Sequence, residues 1–244
     1  MGLRSTLAKQ VNDVLRPLRV QVVSGTSPDP AVEDFISARA TMAAARKAGL
    51  PLGAYVDQAF VTPGATPDLV RAMLKLAGRD TYETVCEIGP GTGRFAEEVI
   101  AAVRPGRYEM YEAAQDWHPR LRTLPNAVLL PCDGRTLAAT PDASVDLVHA
   151  QKVFVYTEIY VTLGYVLEMA RVVRPGGVVA FDVTSEECMD EDVVRLWARE
   201  RTIYRPVPRQ WLVDLLGRRG LELVGSYFTP MPPGRSELLV FRRR

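Results

Sequence analysis

The feature that most constrains the fold of this chain is the stretch VCEIGPGTGRF at residues 85–95. A short apolar run contains the acidic Glu87, and the glycines Gly89, Gly91 and Gly93 follow at alternate positions. Because glycine weakens both strands and helices, three of them so close together need a reason. The pattern predicts a tight turn between a strand and a helix, with the backbone lying close to a bound ligand.

Strand-like and helix-like segments alternate from residue 85 onwards. The strand-like segments are TVCEIG, RYEMYE, AVLLPCD, SVDLVHAQ and VVAFDVTS, and the helix-like ones are RFAEEVIAAV, TLGYVLEMARVV and RQWLVDLLGRRG. RPGG is expected to form a turn, Gly220 to end the last helix, and LELVGSYFTPM with SELLVFRRR to form a closing hairpin. Such alternation predicts an α/β fold of the Rossmann-like, doubly wound type with a mostly parallel sheet.

The first 80 residues have a different, helical pattern. Helices are expected in LAKQVNDVLRPL, PAVEDFISARATMAAARKAG and TPDLVRAMLKLAG, the last with Thr66 as its N-cap and Gly78 as its terminator. We therefore expect an N-terminal helical segment over residues 1–80 that packs on or covers the core. The core itself is expected at residues 81–244.

Composition narrows the class of protein. The net charge is +1 and 24% of the residues are charged, so no bulk electrostatic attraction to nucleic acid or to an anionic membrane is expected. Cys86, Cys132 and Cys188 are too widely spaced for a disulfide framework or a zinc site. With no apolar run of membrane-spanning length and no secretory leader, a cytoplasmic protein is expected.

Two classes of cofactor use a glycine turn of this kind. Dinucleotide enzymes need G-x-G-x-x-G, and here the third position would be Arg94, which is too bulky for close helix–strand contact. The alternative spacing, acidic-x-G-x-G-x-G, is filled by Glu87 and the three glycines. This arrangement resembles motif I of the class I S-adenosylmethionine-dependent methyltransferases, and the later motifs follow in order through residue 183.

The resemblance implies a seven-stranded sheet with an antiparallel last strand, S-adenosylmethionine as cofactor and S-adenosylhomocysteine as product. Glu87 is expected to attract the ammonium group, Glu112 to bind the ribose hydroxyls, and Asp133 to contact the adenine amino group. The full set of expected cofactor residues is Tyr55, Glu87, Gly89, Pro90, Gly91, Gly93, Glu112, Trp117, Asp133, Gly134 and Gln151. Within it, Trp117 would stack on the adenosine and Tyr55 would cover the cofactor.

Transfer to a hydroxyl needs a base to remove its proton. His149, on the fourth predicted strand, and Tyr156, just beyond it, are the catalytic candidates, whereas His118 lies on the adenosine side. Asp182, Glu186 and Glu187 at the next strand end could bind sugar hydroxyls or assist the base. No tight spacing of metal ligands indicates a divalent cation, although a metal-dependent reaction stays open.

These features predict an O-methyltransferase that acts on a small molecule or a saccharide, with neither nucleic acid nor membrane as partner. Three alternatives stay open: a non-catalytic domain that keeps the fold, an N-methyltransferase of small molecules, and a nucleotide-dependent oxidoreductase, which Arg94 opposes. A homodimer is also left open by the sequence.

Overall fold

The structure is a computed structural model that describes residues 37–200, 204–232 and 234–244. Ala38–Arg244 forms one compact unit. The predicted helix at residues 7–18 and the first part of the one at residues 30–49 lie outside the described residues. The predicted division at residue 80 stays a prediction, although helices on both sides of it belong to the same compact unit.

Helices flank a single sheet. The helices are α1 Ala38–Ala48, α2 Leu52–Phe60, α3 Ala65–Ala77, α4 Arg94–Val103, α5 His118–Leu121, α6 Ile159–Val172, α7 Glu191–Glu200 and α8 Arg209–Gly217. The strands are β1 Thr84–Ile88, β2 Arg107–Tyr111, β3 Ala127–Leu129, β4 Val145–Ala150, β5 Val173–Val183, β6 Leu221–Met231 and β7 Gly234–Arg243. Short 3₁₀ helices occupy Gln115–Trp117 and Glu186–Cys188. In the part of the chain described, none of the helices is long and apolar enough to cross a lipid bilayer.

The seven strands have the order β3-β2-β1-β4-β5-β7-β6. Strands β1 to β5 pair in parallel, and β7 runs antiparallel between β5 and β6. This confirms the predicted doubly wound, mostly parallel sheet with an antiparallel last strand. Because helices cover both faces, the central strands are apolar throughout, and all six residues of β4 are buried.

Strand β1 lies between β2 and β4. From β1 the chain first adds strands on one side, β2 and β3, and then returns to add β4 and β5 on the other side. Glu87 pairs with His149, and Ile88 pairs with Ala150 on β4 and Tyr111 on β2. In open α/β sheets, ligands bind outside the carboxyl ends of the strands at such a reversal. The loops after β1, β2 and β4 therefore meet at one edge of the sheet.

Three local expectations were wrong. Helix α3 begins at Ala65, and its N-cap is Gly64 in the left-handed region. Thr66 lies inside the helix, where Asp57 of α2 accepts both its backbone N–H and its hydroxyl. The RPGG segment lies within β5 as an irregularity in its pairing with β4 and is not a separate turn. Helix α8 ends at Gly217, three residues before Gly220.

Asp57 joins three helices of the N-terminal part. Its Oδ2 accepts the backbone N–H of Thr66 at 2.8 Å, and its Oδ1 accepts the Thr66 hydroxyl at 2.7 Å. Arg94, the first residue of α4, donates to the same Oδ1 at 2.9 Å. Both Asp57 and Arg94 are buried, so each charge depends on the other for compensation. The pair ties α2 and α3 to the helix that follows the glycine turn.

Replacing Asp57 with Ala is expected to lower the free energy of unfolding by about 3–5 kcal/mol, because Arg94 would keep a buried charge without a partner. Asp68→Ala on α3 is the matched control: its pair with Arg71 is exposed, and about 0.5 kcal/mol is expected. Urea unfolding followed by circular dichroism measures both. Equal losses in the two variants would show that the buried pair does not hold these helices.

Candidate active site

The glycine turn takes the conformation that its sequence requires. Gly89, Gly91 and Gly93 have φ values of 63°, 49° and 78°, in the left-handed region that other residues adopt at a cost. The N–H of Gly89 donates to the carbonyl of Tyr111 at 2.8 Å, and that of Gly93 donates to Pro90 at 2.8 Å. A Cβ atom on Gly91 would meet nothing within 4 Å. The turn therefore presents bare backbone to open space at the sheet edge.

Glu112 follows β2 and ties its loop to the glycine turn. Its Oε2 accepts the N–H of Gly91 at 2.6 Å, and its Oε1 accepts the N–H of Ala114 at 2.7 Å. Burial raises the pKa of Glu112, and these two backbone bonds oppose that shift. His118 Nε2 donates to the Glu112 carbonyl at 2.9 Å, which places this histidine on the predicted adenosine side. The structure thus brings the predicted ribose-binding residue against the glycine turn.

Glu87 is buried with one oxygen bound and one free. The Tyr108 hydroxyl lies 2.8 Å from Oε2, whereas Oε1 has no hydrogen-bond partner among the described residues. Burial raises the pKa of Glu87 to about 8, and the bond from Tyr108 opposes that shift. A buried oxygen without a partner is costly, so it indicates a missing ligand group that can donate hydrogen bonds.

Gln151 offers a second buried oxygen of the same kind. It follows β4, its Nε2 donates to the sulfur of Met73 at 3.4 Å, and its Oε1 has no partner among the described residues. Glu87 and Gln151 stand at the ends of neighbouring parallel strands. Two unbound oxygen acceptors beside the glycine turn fit the amino acid portion of S-adenosylmethionine, whose ammonium group can donate up to three hydrogen bonds.

His149 lies inside the sheet and away from any opening. It is fully buried on β4, and its Nε2 lies 2.8 Å from the Tyr108 hydroxyl. Burial lowers the pKa of His149 to about 3, so the ring is neutral at physiological pH. Its role as a base stays a prediction, and burial argues against it because a base must reach the proton that it removes.

The predicted adenosine side is built from two loops. Asp133 is exposed and accepts the backbone N–H groups of Arg135 and Thr136 at 2.8 and 2.7 Å. Burial alone would raise the pKa of Asp133, but the bonds from Thr136 and Arg135 hold it below its usual value. A Cβ atom on Gly134 would meet nothing within 4 Å, so space for a ring is present. Trp117 is buried, and its stacking on adenine stays a prediction.

Aromatic side chains cluster beyond the end of β4. Tyr156 stacks on Tyr204 with ring centroids 5.6 Å apart, and Tyr204 packs on Trp197 of α7 at 5.0 Å. The indole Nε1 of Trp197 is buried and has no hydrogen-bond partner among the described residues. Burial raises the pKa of Tyr156 well above its usual value, so its phenol keeps its proton. The sequence indicated only Tyr156 of this aromatic cluster.

The ring contact of Tyr55 is with a residue outside this aromatic cluster. It is half-buried on α2 and packs edge-to-face on Phe60 of the same helix, with ring centroids 6.5 Å apart. Its contact with the cofactor stays a prediction. Helix α1 does reach the adenosine side, because the N–H of Ala38 donates to Asp116 at 2.8 Å.

Two of the three carboxylates of the FDVTSEE segment, those of Asp182 and Glu186, accept hydrogen bonds from neighbouring residues. Asp182 is fully buried and accepts the backbone N–H of Lys152 at 2.6 Å and the Ser236 hydroxyl at 2.6 Å. Glu186 accepts the N–H of Arg209 at the start of α8, and the Glu187 carbonyl accepts a bond from Arg235. The expectation that these side chains serve an acceptor stays a prediction, and the full burial of Asp182 argues against it at that residue.

Lys152 forms a buried ion pair near the end of β4 that the sequence did not reveal. It follows β4 with a left-handed φ of 59°, and its Nζ lies 3.0 Å from Asp182 Oδ2 and 2.6 Å from Ser236 Oγ. Burial lowers the pKa of Lys152, and Asp182 opposes that shift. The signal in the sequence was a lysine that directly follows the strand-like segment SVDLVHAQ. Its positive φ is known only from the structure, and residues other than glycine seldom adopt such an angle.

No group of three His, Cys, Asp or Glu side chains that could hold a metal ion occurs among the residues that the structure describes.

Lys152→Met is expected to cost about 3–5 kcal/mol of unfolding free energy, because it leaves the buried Asp182 without its cation. Adding Asp182→Asn should recover part of that loss, since no buried charge then remains. Lys75→Met, at an exposed position on α3, is the control, with a change within about 0.5 kcal/mol. Strictly additive losses in the double variant, measured by urea unfolding, would contradict the pairing.

Comparison with known proteins agrees with this geometry. Residues 61–226 match the family described as "Methyltransferase domain". Among curated proteins, none matches the chain significantly in sequence.

Solved structures share the fold at low sequence identity. Magnesium protoporphyrin IX methyltransferase from Synechocystis PCC 6803, solved with bound S-adenosylhomocysteine, has a TM-score of 0.62 and 13% identity, over 87% of this chain and 98% of that one. An O-methyltransferase family protein from Burkholderia thailandensis has a TM-score of 0.58 and 16% identity, over 97% and 70%. The N-methyltransferase NodS from Bradyrhizobium japonicum WM9 has a TM-score of 0.54 and 14% identity, over 73% of this chain and 96% of that one. We conclude that the chain belongs to the methyltransferase-domain family and has the fold of the class I S-adenosylmethionine-dependent methyltransferases.

Proposed function

We propose that this protein transfers the methyl group of S-adenosylmethionine to an oxygen of a small hydroxylated acceptor, with a saccharide hydroxyl as first choice. The observation that carries the choice of acceptor is the aromatic cluster of Tyr156, Trp197 and Tyr204 beyond β4. The Tyr204 hydroxyl already donates to the Pro232 carbonyl at 2.6 Å, so the phenol of Tyr156 and the indole of Trp197 are the proposed donors. Aromatic rings with such donors suit a ring that carries hydroxyl groups, because they combine apolar contact with a few directional bonds.

The residues at the sheet edge divide the binding of the cofactor among them. Glu87 and Gln151 offer their unbound oxygens to the ammonium group, and Glu112 is placed to accept hydrogen bonds from the ribose. Gly91 and Gly134 leave room for the bound molecule. When bound, S-adenosylmethionine supplies a methyl group on a sulfonium, which an in-line nucleophile can attack without a metal.

Tyr156 is the acceptor-side residue with the best-supported role. Its phenol keeps its proton at physiological pH and lies beyond the end of β4, so it can donate a hydrogen bond that orients an acceptor. Neither histidine is well placed as a base, since His149 is buried and His118 is bound to the Glu112 carbonyl. A sugar hydroxyl would therefore need a base other than these two histidines, whereas a more acidic oxygen, such as that of a phenol, would need none.

An N-methyltransferase reaction is the second candidate. A neutral amine attacks with its own lone pair, so it needs no base before the methyl group moves. The burial of His149 therefore supports a nitrogen acceptor as well as an acidic oxygen. Acceptor panels must include amines beside sugars and phenols.

The choice of cofactor is tested by calorimetry with S-adenosylhomocysteine and with NAD. We expect a dissociation constant on the order of micromolar for S-adenosylhomocysteine and no heat of binding for NAD. Glu112→Ala should weaken the binding of S-adenosylhomocysteine by at least about tenfold, since it removes the carboxylate that holds Gly91 and faces the ribose. Binding of NAD alone would contradict the proposal.

The role of Tyr156 is tested by turnover against a panel of monosaccharides, phenols and amines, with formation of S-adenosylhomocysteine as readout. Tyr156→Phe is expected to lower kcat/KM for the accepted compound by about tenfold, the cost of one hydrogen bond, and to leave affinity for S-adenosylhomocysteine unchanged. Tyr227→Phe, an exposed tyrosine on β6, is the matched control. Turnover of amines alone would overturn the oxygen acceptor and favour the second candidate.

A further inference from the structure

We infer that Tyr108 and His149 are positioning residues that govern the proton on Glu87, so that binding of the cofactor's ammonium group releases that proton to solvent. The inference rests on S-adenosylmethionine as cofactor and is independent of the acceptor. It assigns a function to His149, a buried titratable side chain whose burial argues against a role as the base.

The three side chains form a continuous hydrogen-bonded chain across three neighbouring strands. The Tyr108 hydroxyl on β2 lies 2.8 Å from Glu87 Oε2 on β1 and 2.8 Å from His149 Nε2 on β4. All three side chains are at least 99% buried. At the two ends, Glu87 Oε1 and His149 Nδ1 have no partner among the described residues. Both end atoms are buried, and Oε1 is the one on the strand that leads into the glycine turn, where the ligand is expected.

A phenol has one proton, so when any proton on Glu87 is on Oε2 the chain has two neutral-tyrosine arrangements. In the first, Tyr108 donates to an ionised Glu87, and His149 donates from Nε2 to the Tyr108 oxygen. In the second, a protonated Glu87 donates to Tyr108, and Tyr108 donates to His149 Nε2. Changing from one to the other moves the imidazole proton between Nε2 and Nδ1. The charge on Glu87 is thus coupled to the tautomer of His149.

Each arrangement has a different cost. The first leaves an ionised carboxylate in a buried position with only one donor, which is expensive without a cation. The second places the His149 proton on Nδ1, where the described residues provide no acceptor. Burial raises the pKa of Glu87 to about 8, so the protonated arrangement prevails at pH 7 in the absence of cofactor.

Other groups near the chain act on it in both directions. Glu112, after β2, raises the pKa of Glu87, and Arg94 at the start of α4 lowers it. Cys86 on β1 stays a thiol, because burial together with Glu109 and Glu87 raises its pKa far above the usual value. Burial is the cause of the low pKa of His149, so this ring stays neutral in both arrangements.

An ammonium group beside Oε1 supplies the missing cation and makes the ionised arrangement the stable one. Glu87 then passes its proton to the Tyr108 oxygen, Tyr108 passes its own proton to His149 Nε2, and the Nδ1 proton of His149 leaves, so that one proton in all is released to bulk solvent. Because ligand binding and proton release are linked, affinity falls as pH drops below the pKa of the free protein. With that pKa at about 8, affinity should weaken about 50-fold between pH 8 and pH 6.

Calorimetry with S-adenosylhomocysteine in two buffers of different ionisation enthalpy measures the proton directly. At pH 7 we expect release of about 0.9 proton per molecule bound. The control ligand, 5′-methylthioadenosine, has the adenosine and thioether but no ammonium group, and should release none. Glu87→Gln should also abolish the release, because an amide does not ionise.

The roles of Tyr108 and His149 are read from the pH profile of affinity. Tyr108→Phe removes the donor that the described residues provide to the Glu87 carboxylate, and it should move the rise in affinity at least one pH unit upward. His149→Leu should shift it in the same direction, and His149→Gln, which keeps a donor, should restore much of the profile. Tyr111→Phe on the same strand, whose hydroxyl binds Thr140, is the matched control with an unchanged profile.

A second readout does not depend on affinity. In protein carrying ¹³C-labelled glutamate, one carboxyl carbon should titrate near pH 8 without ligand and be missing in Glu87→Gln. Binding of S-adenosylhomocysteine with no proton release and equal affinity at pH 6 and pH 8 would overturn the inference but leave the cofactor in place. A lack of binding at every pH would overturn the cofactor as well.

Discussion

The parallel pairing of β1 with β2 on one side and β4 on the other is the constraint on which the rest of the structure depends. Parallel strands bring their carboxyl ends to the same edge, and the reversal of strand order at β1 keeps helices from closing over it. Glu87, the glycine turn, Glu112 and Gln151 meet there although they are far apart in sequence. The chemistry of the site follows from this one topological feature.

Buried charges outside the cofactor site are paired. Asp57 binds Arg94, and Lys152 binds Asp182, each within 3.0 Å. Such pairs compensate for the loss of hydration, and they hold loops and helices around the sheet edge in one arrangement. Glu87 is different, because its nearest partner is a neutral phenol and one of its oxygens has no hydrogen-bond partner in the part of the chain that the structure describes. The paired carboxylates stabilise the fold, whereas Glu87 is the carboxylate that we propose for the ammonium group of the cofactor.

The site residues that the sequence indicated fall into two groups. Glu87, the glycines and Glu112 could be found because their spacing along a strand–turn–helix unit is local, and local geometry places them at the turn. His149 and Asp182 were harder to interpret, because position on a strand does not say which neighbours fill the space around a side chain. In the structure, the Tyr108 hydroxyl lies against His149 Nε2. Lys152 and Ser236 both contact the Asp182 carboxylate.

The sequence by itself determined the α/β class, the doubly wound sheet and the glycine turn, because hydrophobic periodicity and glycine conformational freedom act over a few residues. Only the tertiary structure decided which buried groups are paired. Tyr108 reaches both Glu87 and His149, and Arg94 reaches Asp57, through contacts between residues 21 to 41 positions apart. Such contacts depend on how strands and helices pack, and packing is a property of the whole fold that no short pattern encodes.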